Sequence, residues 1–364
     1  MNRRFAAVAL LVLAYSTAAN AQQRLPARLL GPVEAVGSEP FSQVRGFREL
    51  SDGRVIVTDQ REKKIVLLDL AKKTAVSIGR VGGGPGEFQT ATDLIGMPGD
   101  TTLLIDVGRG LDRLSVILPD GKIDGSVILP QNTWTSYLFQ VDRAGRLYFP
   151  ERVISASGGA PRDSVPVLRV DLRRKSVDTA FSVRAVRRGP GVPSDPYNPR
   201  PQWAVDANGR AAVVEVEDYR VTWIAPDGKR TRGAPISFER LAVTERDKEE
   251  FRALARRISG LGTGLATPTG TAARPPALEF PEYKPPFFGN NAVMFAPNGE
   301  LWVRRSQPAS EKGLVHDIIG AAGVPVATIT LPVNTVLLAL GVRGVYLAHY
   351  DDDDLIRIER YRYP

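Results

Sequence analysis

Phe41–Phe88 reads FSQVRGFRELSDGRVIVTDQREKKIVLLDLAKKTAVSIGRVGGGPGEF and holds four short apolar runs divided by polar turns. The runs are Val44–Leu50, Arg54–Thr58 with Asp59 closing it, Lys64–Leu70 and Thr74–Arg80. β-Branched residues dominate them, and Ser51-Asp52-Gly53 and Ala71-Lys72-Lys73 carry turn chemistry. Such a pattern predicts a four-stranded antiparallel meander. One meander cannot bury both of its faces, so it needs neighbours.

The neighbours are written along the rest of the chain. The turn at Gly53 recurs around Gly99, Gly145, Gly209, Gly299 and Gly344, each time just ahead of a hydrophobic run: VIVTD, TLLIDV, LYFPE, AAVVEV, LWVRR and VYLAH. Gly53, Gly99 and Gly145 are 46 residues apart, and Gly299 and Gly344 are 45 apart. The gaps of 64 and 90 between them require insertions. A four-stranded unit repeating in the mid-forties is a propeller blade. Six turns therefore predict an all-β, six-bladed β-propeller of four-stranded antiparallel blades. The last blade shows only three runs, Thr335–Leu340, Val345–His349 and Leu355–Arg362. A weak strand within Ala27–Val36 is expected to supply the fourth and to close the ring by pairing the N- and C-terminal strands.

The block GRVGGGPGEF, with DGRVIVTD and IVLLD around it, resembles an NHL-type repeat. Tyr283–Gly289 (YKPPFFG), followed by NGELWVRR, is similar to exported bacterial six-bladed propellers of the same broad group. The resemblance covers Phe41 to the C-terminus and implies architecture rather than a particular activity.

The chain begins MNRRFAAVALLVLAYSTAANA. Arg3 and Arg4, the apolar Phe5–Tyr15 and the small residues Ala19-Asn20-Ala21 make residues 1–21 an expected Sec-type signal peptide. Its apolar run is too short to span a bilayer. The product is expected to be periplasmic or extracellular, monomeric, and a single propeller domain over 22–364. There is no cysteine, which removes disulfides, thiol chemistry and Cys-ligated metals. The formal charge is +8, and loss of Arg3 and Arg4 leaves +6. Such a surface favours anionic partners. Export argues against nucleic acid and for a protein, a peptide or an acidic envelope glycan.

Ser237–Gly289 interrupts the fourth and fifth blades. Thr244-Glu245-Arg246-Asp247 is a capping-box variant, and Phe251, Leu254, Ala255 and Ile258 form one apolar stripe. Gly260 ends it. The pattern predicts one inserted helix over 245–259. In a blade, the turns between strands 1–2 and 3–4 lie on one face and the other connections lie on the opposite face. The excursions at 155–162, 187–200 and 237–289 and the run Asp351–Asp354 all belong to the second set. They are expected to crowd one mouth of the channel, where function concentrates.

The ligand-binding residues expected there are of three kinds. Gln43, Gln89, Asn290, Asn291 and Asn334 stand near the starts of innermost strands, and amides both donate and accept. Asp59, Asp106, Glu151, Arg304 and Arg305 end second strands, with Arg61 and Arg109 just beyond. His349 ends a strand beside Tyr350 and Asp351. The plain alternative is that amides wet the channel end and the mixed charges pair with one another. His316, the only other histidine, is expected mid-strand. No G-x-S-x-G elbow is present, and nothing marks either histidine as part of a triad, so no catalytic residue is assigned.

Asp351–Asp354 offers carboxylates to calcium without the spacing of an EF-hand loop. Gluconolactonase-like and paraoxonase-like six-bladed propellers hold a catalytic calcium with a Glu and amide or Asp ligands. This chain has channel amides but no Glu at a matching strand start. No cofactor is expected, with calcium the one metal left open. Gly82–Gly86 lacks the Lys-Ser/Thr of a phosphate loop and is expected to be a tight link, with Phe88 packed in the seam. The sequence reading is of a non-enzymatic binding module using its loop-rich face. The alternative is a calcium-dependent, lactonase-like hydrolase acting in the channel.

Overall fold

The computed structural model describes residues 25–108, 113–129, 140–151, 163–185, 195–197, 199–259, 279–289 and 292–364, with helix side chains described through Arg252. The expected signal peptide lies outside these residues. Six antiparallel meanders follow one another along the chain. Blade 1 is Val44–Glu49, Val55–Asp59, Lys64–Asp69 and Thr74–Ser77, and blade 2 runs from Ala91–Gly96 to Ile123–Val127. Blade 3 runs from Gln140–Val141 to Ser176–Arg184, and blade 4 from Gln202–Val205 to Arg230–Arg232. Blade 5 comprises Val293–Phe295, Leu301–Arg304, Val315–Ile319 and Pro325–Thr330. Blade 6 comprises Thr335–Leu340, Val345–Tyr350, Ile356–Tyr361 and the N-terminal Val33–Val36. The first strand of each blade touches the first strand of the next, and blade 6 returns to blade 1, so the six surround an axis.

The repeated turn has one physical cause. In blades 1, 3, 4 and 5 the amides of Gly53, Gly145, Gly209 and Gly299 donate to the carbonyl three residues earlier, each at 2.9 Å. All four glycines have φ between +78° and +92°, where a Cβ is penalised and glycine is not. The alternation of apolar residues along each strand then sends side chains into the seams on both sides. Phe41, Val55, Val57 and Leu68 of blade 1 pack with Tyr346, Ala348, Ile356 and Ile358 of blade 6. Trp302, Ile318 and Ile329 of blade 5 pack with Val345, Leu347 and Tyr361 of blade 6. Each fully buried aliphatic chain contributes about 1.5–3 kcal/mol of transfer free energy.

Two expectations need correction. The ring is not closed by strand pairing of the termini: every sheet is open, with two ends to its strand order. Val33–Val36 lies beside Ile356–Tyr361, but as the outermost strand of an open sheet. The circuit is completed by the side-chain seam between blades 1 and 6, because hydrogen bonds run within a blade and apolar packing runs between blades. The blades are also not uniformly four-stranded and antiparallel. Ala27–Arg28 adds a fifth, parallel strand to blade 5, so the N-terminal segment is shared between two sheets. Arg80–Val81 and Glu87–Phe88 form a further short parallel pair. There the Glu87 carboxylate takes the Gly84 amide at 2.7 Å, and Phe88 is buried against blades 1 and 2.

The inserted helix is Glu245–Ser259. Asp247 caps it through the amide and hydroxyl of Thr244, at 2.9 and 2.7 Å. Among the described residues no helix is long and apolar enough to cross a membrane.

Candidate functional site

Short turns occupy one face of the disc and the longer connections the other, as strand alternation requires. Several charged residues expected to meet a ligand at that second face are spent on the backbone. Asp59, fully buried, accepts from the amides of Ser42, Arg61 and Glu62 at 2.6, 3.0 and 3.0 Å. Asp106 accepts from the amides of Gln89 and Thr90, both at 2.8 Å, and from Arg113 Nε at 2.9 Å. Each of these aspartates ties the end of a second strand to the link that leads into its own blade. Arg61 and Gln89 are exposed. Gln43 stands half-buried ahead of the first strand of blade 1, its carbonyl taking the Gln60 amide at 3.1 Å. Asn334 serves as a turn residue at φ +61°, its carbonyl taking the Tyr350 amide at 2.9 Å. Glu151 pairs its backbone with Pro166 at 2.8 Å. Arg305 is held by Asp317, which also accepts from the Tyr219 hydroxyl at 2.7 Å. Arg109, Asn290 and Asn291 lie outside the described residues.

The seam between blades 5 and 6 differs. Register places Arg304 opposite His316 and places Trp302 opposite Ile318 on blade 5. On blade 6, Leu347 stands opposite Glu359 and His349 opposite Arg357. Trp302, Ile318, Leu347 and Tyr361 belong to one apolar cluster. Strand alternation therefore aims Arg304, His316, His349 and Glu359 into the same seam. Arg304 and His349 sit near the ends of second strands, at the face with the long connections. Alternation thus points the expected lining residues Arg304 and His349 into one seam from facing blades.

His349 Nδ1 lies 2.9 Å from Glu359 Oε1. The other Glu359 oxygen accepts from the Tyr361 hydroxyl at 2.7 Å, and that bond, with burial, pushes Tyr361 well above the usual phenol range. With a carboxylate on one ring nitrogen, Nδ1 carries the proton and Nε2 is left as the acceptor. The His349 side chain is 41% exposed against 11% for Glu359, so a buried carboxylate orients an accessible imidazole. His316 is the opposite case. It is 3% exposed, its Nδ1 has no partner, and its ring centroid lies 6.0 Å from that of Trp302. Burial, helped by the charge of Arg304, pushes its pKa down to about 3, so it is neutral.

Glu359, Tyr361 and His316 were not assigned to the site from sequence. The signal for Glu359 was there: in Ile356-Arg357-Ile358-Glu359-Arg360-Tyr361 it occupies an inward position of an alternating strand, diagonal to His349. A second unassigned acid, Asp93, lies on the innermost strand of blade 2. Burial pushes it up to about 7, against the pull of the Leu94 amide and Arg45.

Two grooves open elsewhere on the long-connection face, beside the helix-bearing insertion. One, of about 830 Å³, is lined by Arg184, Glu217, Tyr283 and Lys284. The other, of about 1040 Å³, is lined by Phe238, Arg305 and Gln307. Three of their charged residues are paired, Arg184 with Glu217, Lys284 with Asp247 and Arg305 with Asp317, and Arg240 lies over the ring of Tyr283. Volume alone therefore does not locate the chemistry.

Among the described residues no three His, Asp or Glu side chains converge as metal ligands. In the acidic run, Asp351 Oδ1 is occupied by the amides of Asp353 and Leu355 at 3.1 and 2.9 Å.

No family model and no curated protein matches the chain. The calcium-binding protein regucalcin from Agrobacterium tumefaciens is similar at 12% identity and a TM-score of 0.45, over 93% of this chain and 97% of that one. The PQQ-bound aldose sugar dehydrogenase of Streptomyces coelicolor is similar at 12% and 0.46, over 92% and 98%. Virginiamycin B lyase from Staphylococcus aureus is similar at 10% and 0.40, over 89% and 96%. Likeness at this level concerns architecture alone. Two of these structures are named as a dehydrogenase and a lyase, names that belong to those proteins. The chain is a six-bladed β-propeller.

Proposed function

We propose that this protein is a hydrolase acting on an ester or lactone at the long-connection end of the seam between blades 5 and 6. The observation that carries this is the pair His349 Nδ1–Glu359 Oε1 at 2.9 Å, with the imidazole open to solvent and the carboxylate buried. In this reading His349 Nε2 takes a proton from water as the water oxygen bonds to the substrate carbonyl carbon. The tetrahedral adduct then collapses, the C–O bond breaks, and the imidazolium returns the proton to the leaving alkoxide. Glu359 fixes the tautomer and stabilises the transient imidazolium; Tyr361 fixes Glu359. A positioned general base of this kind contributes about 10²–10⁴-fold. No step is routed through a metal.

The NHL-type resemblance enters this reading as a repeat pattern, and export as its setting. The test is a panel of simple esters and lactones. His349→Gln is expected to lower kcat by about 10²-fold or more, and Glu359→Gln by less, with KM little changed. Turnover that survives His349→Gln undiminished, or no turnover of any ester or lactone by the wild type, overturns the proposal.

A further inference from the structure

Arg304 is a partly buried guanidinium with no counter-charge among the described residues. Among the described residues no carboxylate lies within ion-pair distance of it, and burial is the sole cause that lowers its pKa. Arg48, the other arginine whose pKa burial lowers, has Asp100 at 3.9 Å and the Met97 carbonyl at 3.3 Å. Arg305, next in the chain, has Asp317. Arg304 has instead the ring of Phe288, 5.4 Å from its central carbon. Its cross-strand neighbour His316 adds no negative charge: it is neutral and buried, with Nδ1 unpartnered. A buried charge is costly unless something pairs with it. One uncompensated positive charge and one unpartnered imidazole nitrogen face the seam that also holds His349.

We infer that Arg304 anchors a carboxylate of the ligand, so that the substrate is a small monoanionic carboxylic acid bearing the scissile ester or lactone. This rests on the seam being the substrate site. A guanidinium lying over an aromatic ring leaves its edge free, and an edge of two N–H groups matches the two oxygens of a carboxylate. Phe288 holds the plane from one side. A Cβ at Gly289, whose φ is +106°, would come within 3.2 Å of Arg304 Nη1, so the chain passes close enough to restrict the guanidinium on another.

The test measures binding of benzoate, inorganic phosphate and sulfate to the full chain by calorimetry. Wild type is expected to bind benzoate, Arg304→Met to bind it at least tenfold more weakly, and Arg304→Lys to fall between. Arg304→Met is expected to raise Tm in the absence of anion, since it removes an unpaired buried charge; a merely structural arginine would lower it. Benzoate binding is expected to persist in His349→Gln. Equal binding by Arg304→Met overturns the inference, as does binding of phosphate or sulfate but not benzoate, or binding of no anion. Absence of anion binding by the wild type, with His349-dependent turnover intact, defeats only this inference. Arg304-dependent binding with His349-independent turnover defeats only the hydrolase reading.

Discussion

Asp247 and Lys284 fix the inserted helix to the segment that delivers Phe288 to Arg304. Lys284 Nζ lies 2.5 Å from Asp247 Oδ1 and 2.8 Å from the Gln307 carbonyl, and both charged side chains are 5% exposed. Three residues beyond Lys284, Phe287 bridges to Arg305. Asp247→Asn removes the charge while keeping the size. Lys284 is then a buried cation with only neutral acceptors, and breaking a buried pair in this way costs about 3–5 kcal/mol. The Thr244 cap is weakened as well, worth about 0.5–2 kcal/mol alone. The two losses share one carboxylate and do not add. The cost is capped by the free energy at which the insertion opens locally. Urea unfolding at pH 7 gives the total, and hydrogen exchange across 241–251 and 283–288 shows whether the loss is local. The pair Asp247→Leu with Lys284→Met is expected to recover most of it, since no charge is stranded. Burial alone would raise the Asp247 pKa, but the bonds from Lys284 and Thr244 outweigh it and hold it below the usual range. Its contribution is therefore full above the unfolded pKa of about 3.9 and is lost as pH falls through the lower native value. A single-variant cost below about 1 kcal/mol, with the double variant worse than either single, refutes the stranded-charge reasoning.

His316 makes stability rise with pH. Its native pKa is about 3 against about 6.5 unfolded, so its contribution is full above that value and lost toward pH 3 at about 1.4 kcal/mol per pH unit. Wild type and His316→Gln, compared between pH 7 and pH 4, should converge or cross at about that slope; parallel curves contradict it. Asp93, raised to about 7, acts in the opposite sense. Its contribution is full below about pH 3.9 and is lost as pH rises to 7, reduced by its partial exposure to solvent, so Asp93→Asn should steepen the wild-type profile. Glu49 accepts from the amides of Val342 and Arg343 at 2.6 and 3.0 Å and from the Tyr346 hydroxyl at 2.7 Å, joining blades 1 and 6. Glu49→Ala should cost about 1–3 kcal/mol in urea unfolding, and a loss within error shows that the seam holds without it.

The repeat was legible because a local cause, the positive-φ turn glycine, leaves a mark at a fixed spacing. The helix over 245–259 was legible for the same reason, since Thr244 and Asp247 are three residues apart. Ring closure was misjudged because strand counting registers hydrogen bonds within a sheet, whereas Phe41, Tyr346 and Ile358 meet through packing that leaves no periodic mark. Of the proposed site, the sequence carried the residue types and strand positions but not the pairing. Arg304 and His349 were named from their place at strand ends, but which strand ends face each other across a seam depends on how blades stack. The partner Glu359 required the register of Val345–Tyr350 against Ile356–Tyr361. Asp59 and Asp106 look like ligand contacts in the sequence, because nothing there shows that backbone amides occupy them.

The chain has only two histidines, and both face the proposed site, which allows a direct measurement. Histidine-labelled protein gives two imidazole signal sets in NMR, assigned by His316→Gln and His349→Gln. Titration with benzoate should move both sets together, with one saturation curve, in wild type and in neither set once Arg304 is replaced by Met. Movement of neither imidazole as benzoate saturates the protein would place its binding elsewhere and contradict a substrate site in the seam between blades 5 and 6.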